Sequence, residues 1–354
     1  MSPLRDVAVI GFAQETAVED RDRNEVEFVI PVVREAIERS GMQRRDIGFT
    51  ISGSCDYLAG GPFTFVMGLD GVGAWPPVKE SHVEMDGAWA LYEAWVAIQT
   101  GDVDSAVIYG FGKASLGDLH EVWTLQTDPY TVATLWPSMV DMAALQADSY
   151  LTASGRTDRD LAEVAARSLR RAQGNPHAVA SADVTVDELL ARPVTHRPLR
   201  DSDVAPITDG AAAIVIAADD VARKHCERPA WIRGIEHRVD PQHLGLRDLA
   251  TAPSAALAAE KAGVNDGAID VAEIHAQFSH EELILRDALG IADGVDVNPS
   301  GGALTSNPMM AAGMVRIGEV ANRIIDGRAG RGVAHAAQGP CLQQNLVCVL
   351  EGAR

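Results

Sequence analysis

One short script is written twice in this chain. In residues 41–52 (GMQRRDIGFTIS) a glycine ends a helical run, a polar loop follows, and an apolar run reads as a buried strand. In residues 263–278 (GVNDGAIDVAEIHAQF) the same order returns. Elements that recur in a fixed order point to an internal duplication, which constrains a fold more than any single motif. Around the first copy, residues 6–12 and Ser105–Gly112 read as near-continuous apolar strands. Glu25–Ser40 reads as an amphipathic helix closed by Gly41, and residues 87–100 as an alanine-rich helix. Around the second copy, residues 231–234 open a strand, Pro253–Ala262 is a helix with proline in its first turn, and residues 309–325 are a long helix. A turn at 326–332 then leads into a closing strand pair. Near-continuous apolar strands alternating with helices belong to an α/β fold whose helices cover both faces of a parallel or mixed sheet. The reading is one βαβαβ design used twice, residues 1–225 forming the first half and 226–354 the second.

An excursion at about 116–200 interrupts the first half. It carries a helical hairpin and a loop rich in turn formers before residues 209–217 return to a buried strand. Residues 155–200 hold eight arginines against six acids, a basic patch in a chain of net charge −20. Arginine forks suit phosphate oxygens, so a phosphate-bearing ligand is one reading; arginines pairing with acids on an exposed hairpin is the other. The overall charge repels polyanions and excludes nucleic acid as a partner. The four cysteines, Cys55, Cys226, Cys341 and Cys348, lack C-x-x-C spacing, which argues against a metal cluster or a disulfide framework and for a reducing compartment. No stretch approaches the ~20 apolar residues of a membrane span, and the N-terminus lacks a secretion signal, so a cytoplasmic protein is expected.

Five phrases in order carry a family resemblance: HVEMDGAWALYEAWVAIQTGDVDSAVIYGFGKAS, SDVAPITDGAAAIVIA, DVAEIHAQFS, VNPSGGALTSNPMMAAGMVRIGE and GVAHAAQGP. They resemble the thiolase superfamily, in the sterol-carrier-protein-x-like branch that includes lipid-transfer proteins and aldolases of actinobacterial steroid breakdown. The resemblance implies a five-layered αβαβα sandwich of two halves, an excursion covering an acyl-CoA channel, and dimers formed across the first-half sheet. It also implies either a homodimer or a heteromer with a thiolase-like paralogue. Some aldolases of this branch need a separate DUF35 OB-fold partner protein.

Thiolases place a cysteine nucleophile in a Cys-x-Ser-Gly pattern at the start of a buried helix, where free amides favour a thiolate. Here the stretch reads Glu84-Met85-Asp86-Gly87, which puts Glu84 at that place to within one or two residues, with Asp86 as helix N-cap. By the same resemblance the histidine of the GHP motif falls on Asn307, His275 matches the histidine of the HDxF-like motif, and the second catalytic cysteine falls on His335. A chain without these cysteines is a poor thiolase, because covalent thiolysis needs a potent nucleophile. Retro-aldol cleavage of a steroid or branched side-chain β-hydroxyacyl-CoA needs only a base and donors for the developing enolate. His335 is the first choice of base and Glu84 the second, while Asn307 and His275 form the enolate hole. Ser300, Gly301, Gly302 and Gly339 are the positions expected to contact substrate or coenzyme A, which enters as part of the substrate and not as a resident cofactor. Each of these side chains also has a structural reading, as cap, turn former or satisfied core group. A non-catalytic subunit that binds acyl-CoA or stabilises an active paralogue is the opposing function. Trp75, Trp89, Trp95, Trp123 and Trp136 cluster in sequence, which suits a dimer interface or an apolar tunnel.

Overall fold

The computed structural model describes residues 4–20, 22–59, 61–73 and 78–352, so Trp75 lies outside the described residues. The first strand, β1 (Val7–Ala17), runs past its apolar stretch. Gln14, Glu15 and Thr16 stay paired with Ala212, Ala211 and Gly210 of a neighbouring strand, since ladder hydrogen bonds do not depend on side-chain polarity. Asn24 and Glu27 form a reciprocal capping box that starts α1 (Glu25–Ser40), and Gly41 ends it in the left-handed conformation at φ 69°. Such a cap is worth about 1 kcal/mol. Then follow β2 (Phe49–Gly53), the short helices α2 (Asp56–Ala59) and α3 (Phe65–Gly71), the edge strand β3 (Lys79–Val83), α4 (Gly87–Gln99) and β4 (Ser105–Gly112). The excursion contributes α5 (Leu119–Leu125), α6 (Met139–Ser154), α7 (Asp158–Arg171), α8 (Val186–Leu190) and a small hairpin of β5 (Val194–His196) and β6 (Leu199–Arg200). The chain returns as β7 (Asp209–Ala218), all of it buried, and α9 (Asp219–His225).

The second half comprises β8 (Ala230–Val239), α10 (Pro253–Ala262), β9 (Val271–Ile274), α11 (Ser279–Ala288), β10 (Asp296–Val297), α12 (Ala312–Ile325), β11 (Arg331–Gln338) and β12 (Gln344–Glu351). Strand order states the duplication directly: the first half reads β3-β2-β4-β7-β1 and the second β10-β9-β11-β12-β8. Directions match as well. β2 lies parallel to β3 and β4, and β9 lies parallel to β10 and β11. The closing pairs β4–β7, β7–β1, β11–β12 and β12–β8 are antiparallel. A two-residue pairing, Ala8 with Trp231 and Val9 with Ala230, joins the halves.

Layering follows from which faces are apolar. Inner-face residues of both halves, such as Ile51, Ile108 and Ile214 from the first and Ala334, Leu346 and Cys348 from the second, pack with α4 and α12 in one cluster. The outer face of the first half packs on α1, and that of the second on α10, α11 and the excursion helices α6 and α7. The result is the five-layered αβαβα thiolase fold.

One expected element is shorter and one unexpected element follows it. The strand expected over 270–278 stops at Ile274, so His275, Gln277 and Phe278 lie on the segment leaving it. That segment feeds α11, which hydrophobic spacing does not reveal because His280, Glu281 and Glu282 are themselves buried.

Candidate functional site

The second-half strands deliver their side chains to a cleft at the carboxyl ends of β9 and β11, where α/β sheets commonly hold ligands. The outer part of the cleft has a volume of about 550 Å³ and runs between the excursion and the second half, with Val140, Leu169, Phe278 and Leu304 among its apolar walls. An inner chamber of about 40 Å³ continues from it, lined by Asp86, His275, Asn307 and Gln338 among others. Trp123, Met139, Gln277, Asn307 and Met309 line both parts. The excursion is pinned to this wall by the Ala205 N–H, which donates to the Gln277 carbonyl at 2.8 Å.

His275 and Asn307 meet here. The Ala337 N–H donates to Nδ1 of His275 at 3.3 Å, which makes Nδ1 the acceptor and places the ring proton on Nε2. Nε2–H then donates to Oδ1 of Asn307 at 3.0 Å. Burial pushes the His275 imidazole down to about 3, so it is neutral at pH 7. The pairing fixes the Asn307 amide with Oδ1 toward the ring, and Nδ2 has no partner among the described residues. The site thus holds a neutral, oriented N–H₂ donor in the wall of a small chamber. His275 spends its own proton on Asn307, so the two act in series and not side by side on an oxyanion.

Asp86 is the N-cap of α4, and its carboxylate also reaches the start of α12. Oδ1 accepts the N–H groups of Ala88 at 2.9 Å and Met314 at 3.0 Å, and Oδ2 accepts that of Gly313 at 2.9 Å. Burial pushes this carboxyl up, against the three N–H groups and Arg316. Gln338, the last residue of β11, accepts the Asp86 backbone N–H at 3.1 Å through Oε1. Close approach at this point depends on glycine: a Cβ on Gly110 of β4 would strike the Met310 carbonyl, which accepts the Gly87 N–H at 2.9 Å, and a Cβ on Gly87 would press on Met314 and on Gly110 itself.

The other sequence-predicted positions lie elsewhere. His335 is three residues short of the end of β11 and fully buried; its Nε2–H donates to Asn345 Oδ1 at 2.9 Å, and burial pushes it down to about 4. It does not line the chamber, because strand phase turns it toward Asn345 and the α10 layer, and the strand-end position at the chamber is Gln338. Glu84 is also outside: its side chain is 47% exposed, with Oε1 accepting the Asp56 N–H at 2.6 Å and Oε2 3.3 Å from Nε2 of His82. His82 in turn lies 2.9 Å from Ser52 Oγ.

Ser300 belongs to a buried ion-pair network and not to the cleft. Its hydroxyl donates to Glu273 at 2.8 Å and accepts from Arg316 at 2.8 Å, while Arg316 pairs with Glu273 at 2.9 Å. Gly301 and Gly302, at φ 98° and 69°, make the left-handed turn that follows, where a side chain would press on Thr305 and Asn298. Gly339 does line the chamber. The tryptophans disperse: Trp123 lines the cleft, Trp89 is in the central core, Trp95 packs against that core, and Trp136 is exposed. Among the described residues no cysteine lines either part of the cleft. Sequence reasoning missed Gln338 and Gln277; the one available signal was that Gln338 is the first polar residue before the Gly339 turn.

No protein-family model matches the chain. The acetyl-CoA acetyltransferase of Methanothermobacter thermautotrophicus is 26% identical over 366 residues, covering 95% of this chain and 94% of that protein. Sterol carrier protein 2 of Gallus gallus is 24% identical over 319 residues, 79% of this chain and 57% of that protein. The benzoylsuccinyl-CoA thiolase subunit BbsB of Thauera aromatica is 26% identical over 202 residues, 51% of this chain and 52% of that protein. Among solved structures, an Ltp2-ChsH2(DUF35) aldolase superposes with a TM-score of 0.81 at 18% identity, covering 99% of both chains. The Bacillus anthracis acetyl-CoA acetyltransferase gives 0.79 at 18% identity over 100% of both. Strand order, layering and near full-length similarity agree: the chain has the thiolase fold and fits the sterol-carrier-protein-x-like thiolase branch.

Proposed function

We propose that the chain is the acyl-CoA-binding subunit of a carbon–carbon lyase, cleaving a β-hydroxyacyl-CoA by a retro-aldol route with coenzyme A present only as part of the substrate. The observation that carries this reading is the His275–Asn307 pair, which holds an amide donor in a chamber that no cysteine among the described residues lines. With the thioester oxygen at Asn307 Nδ2, the Cα–Cβ bond breaks and its electron pair moves onto the thioester as an enolate. The β-hydroxyl gives up its proton and becomes the carbonyl of the released ketone or aldehyde. Protonation of the enolate at Cα yields the shortened acyl-CoA. The large apolar outer cleft supports a bulky substituent such as a steroid or branched side chain.

The proton acceptor is assigned to a partner protein. His335 and Glu84 lie off the chamber, both nitrogens of His275 are engaged, and the Asp86 oxygens already accept three backbone bonds. The similarity to an Ltp2-ChsH2(DUF35) aldolase and to a thiolase subunit supports such a heteromer. The same lack of an unengaged base favours a second reading, a non-catalytic subunit that stabilises an active paralogue.

Incubating the chain with β-hydroxy- and β-ketoacyl-CoAs, alone and with a DUF35-type partner or a thiolase-like paralogue, tests both readings. Shortened acyl-CoA detected by mass spectrometry only for β-hydroxy substrates supports the lyase. Product that forms equally with Asn307→Ala assigns the chemistry to the paralogue. An acylated side chain trapped on this chain overturns the retro-aldol route.

A further inference from the structure

A second cavity, of about 280 Å³, shares no lining residue with the cleft. It forms where five parts of the chain meet: β1, α1, the end of α7 with its following turn, the turn at Pro299 and Ser300, and the end of α12 with its following turn. The three helical parts bring arginine: Arg39, Arg171, and the pair Arg323 and Arg328. His177 and Asn175 add a ring and an amide. Two carboxylates also line it, but both are engaged. Glu35 pairs with Arg39 at 2.6 Å, and Glu319 accepts the Gln14 amide at 2.6 Å. Arg328 pairs with Asp326 at 2.6 Å and Arg171 with Asp296 at 2.8 Å, so of the four lining arginines Arg323 alone has no carboxylate partner among the described residues.

The guanidinium groups are only partly satisfied. Arg39 donates to the Phe12 carbonyl at 3.1 Å besides pairing with Glu35. Arg171 donates to the Val297 carbonyl and pairs with Asp296 at 2.8 Å. A guanidinium has five N–H donors, so each keeps unspent ones. Arg323 has no partner for any of its donors among the described residues, and its Nε is buried. A buried donor without an acceptor is costly, and guanidinium forks match the paired oxygens of phosphate and carboxylate.

We propose that this cavity is a binding site for a small, multiply charged oxyanion, a phosphate- or carboxylate-bearing metabolite, held between the arginines of α1, α7 and α12. Its size separates it from the cleft's ligand: it takes a compact anion and not an acyl-CoA. The basic patch of the excursion thereby divides in two. Arg159, Arg167 and Arg200 are spent on Asp187, Glu282 and Asp158, whereas Arg171 faces the cavity.

Isothermal titration of the full chain with inorganic phosphate, pyrophosphate and citrate, at constant ionic strength with chloride as control, tests the site. The expected result is saturable binding of at least one anion, one per chain, weakened at least tenfold in both Arg323→Gln and Arg328→Gln. A preference for pyrophosphate over citrate identifies a phosphate ligand, and the reverse a carboxylate. Absence of saturable binding by all three, or equal affinity in the variants, overturns the proposal. A thermal-shift series on the same variants confirms that each is folded and must show ligand stabilisation that needs at least tenfold more anion in the variants than in the wild type.

Discussion

Nε2 of His275 donates to Oδ1 of Asn307 at 3.0 Å, and this bond fixes the orientation of the Asn307 amide in the chamber wall. Removing a preorganised donor of this type reduces turnover by about 10²–10³-fold. Asn307→Ala is therefore expected to lose cleavage by that order while binding of a non-cleavable acyl-CoA thioether changes little. His275→Gln acts through Asn307 and is expected to lower kcat less than Asn307→Ala does, with KM nearly unchanged. Steady-state kinetics of the assembled lyase separates the two.

His335 is a structural group. Its Nε2 is bonded to Asn345, whose amide also donates to Ser254 Oγ at 2.7 Å and to the Leu342 carbonyl at 2.8 Å. His335→Ala is expected to destabilise the fold by about 1–3 kcal/mol, the range for stranding a buried polar partner, and to leave kcat within a few-fold of wild type. Urea denaturation and initial rates on the same preparation check both halves of this statement.

The Glu273–Arg316 pair is a sharper stability test. Both side chains are fully buried and share Ser300 as a common partner. Breaking a buried pair from one side leaves an uncompensated charge and costs about 3–5 kcal/mol. Arg316→Met is expected to lower the denaturation midpoint sharply, and Arg316→Met combined with Glu273→Gln to recover part of the loss.

Buried titratable groups of both signs give stability a pH dependence in mild acid. Burial pushes His275 and His280 down to about 3 and His335 to about 4, from 6.5. A depressed histidine stabilises the fold fully above its unfolded value, and that contribution is lost as pH falls from 6.5 toward the folded value. Glu281 has the opposite sign. Burial raises it to about 7 from 4.5, so its contribution is present at pH below 4.5 and is lost as pH rises through 7. Burial also raises Asp86, Asp203 and Glu273 and lowers His177, so the share of one group is read by difference: as pH falls from 6.5 to 4.5 the urea midpoint of His280→Gln should improve relative to wild type, and that of Glu281→Gln should worsen. A difference between His280→Gln and wild type that stays constant through this window would contradict the neutral, buried state of His280.

Much of the architecture was legible because it rests on local signals. Pro253 and Gly263 bound α10, Asp86 caps α4, and apolar runs mark β4 and β7, so the duplicated order could be read by pattern alone. His275 and Asn307 were also identified, and the fold brings them together. What pattern could not supply was direction. Whether a residue near a strand end faces a chamber depends on the residue at which the strand stops, and β9 stops four residues earlier than its apolar run suggests, at Ile274 instead of Phe278. That end point carries His275 to the wall, while the phase of β11 turns His335 away. Ser300 was misplaced for a related reason: its hydroxyl is drawn inward by Glu273 and Arg316, which are distant in sequence. Glu84 follows its own strand edge toward Asp56 and His82, an arrangement set by a loop that hydrophobic spacing does not describe.

The carboxylate of Asp86 bonds to helix starts contributed by opposite copies of the repeat. Severed from each other, the copies would each retain a sheet, yet neither would hold both ends of this bonding, Ala88 on one side and Gly313 and Met314 on the other. The repeat supplies two similar walls and a single acidic side chain joins them into one room, so a change at residue 86 is felt in both copies at once.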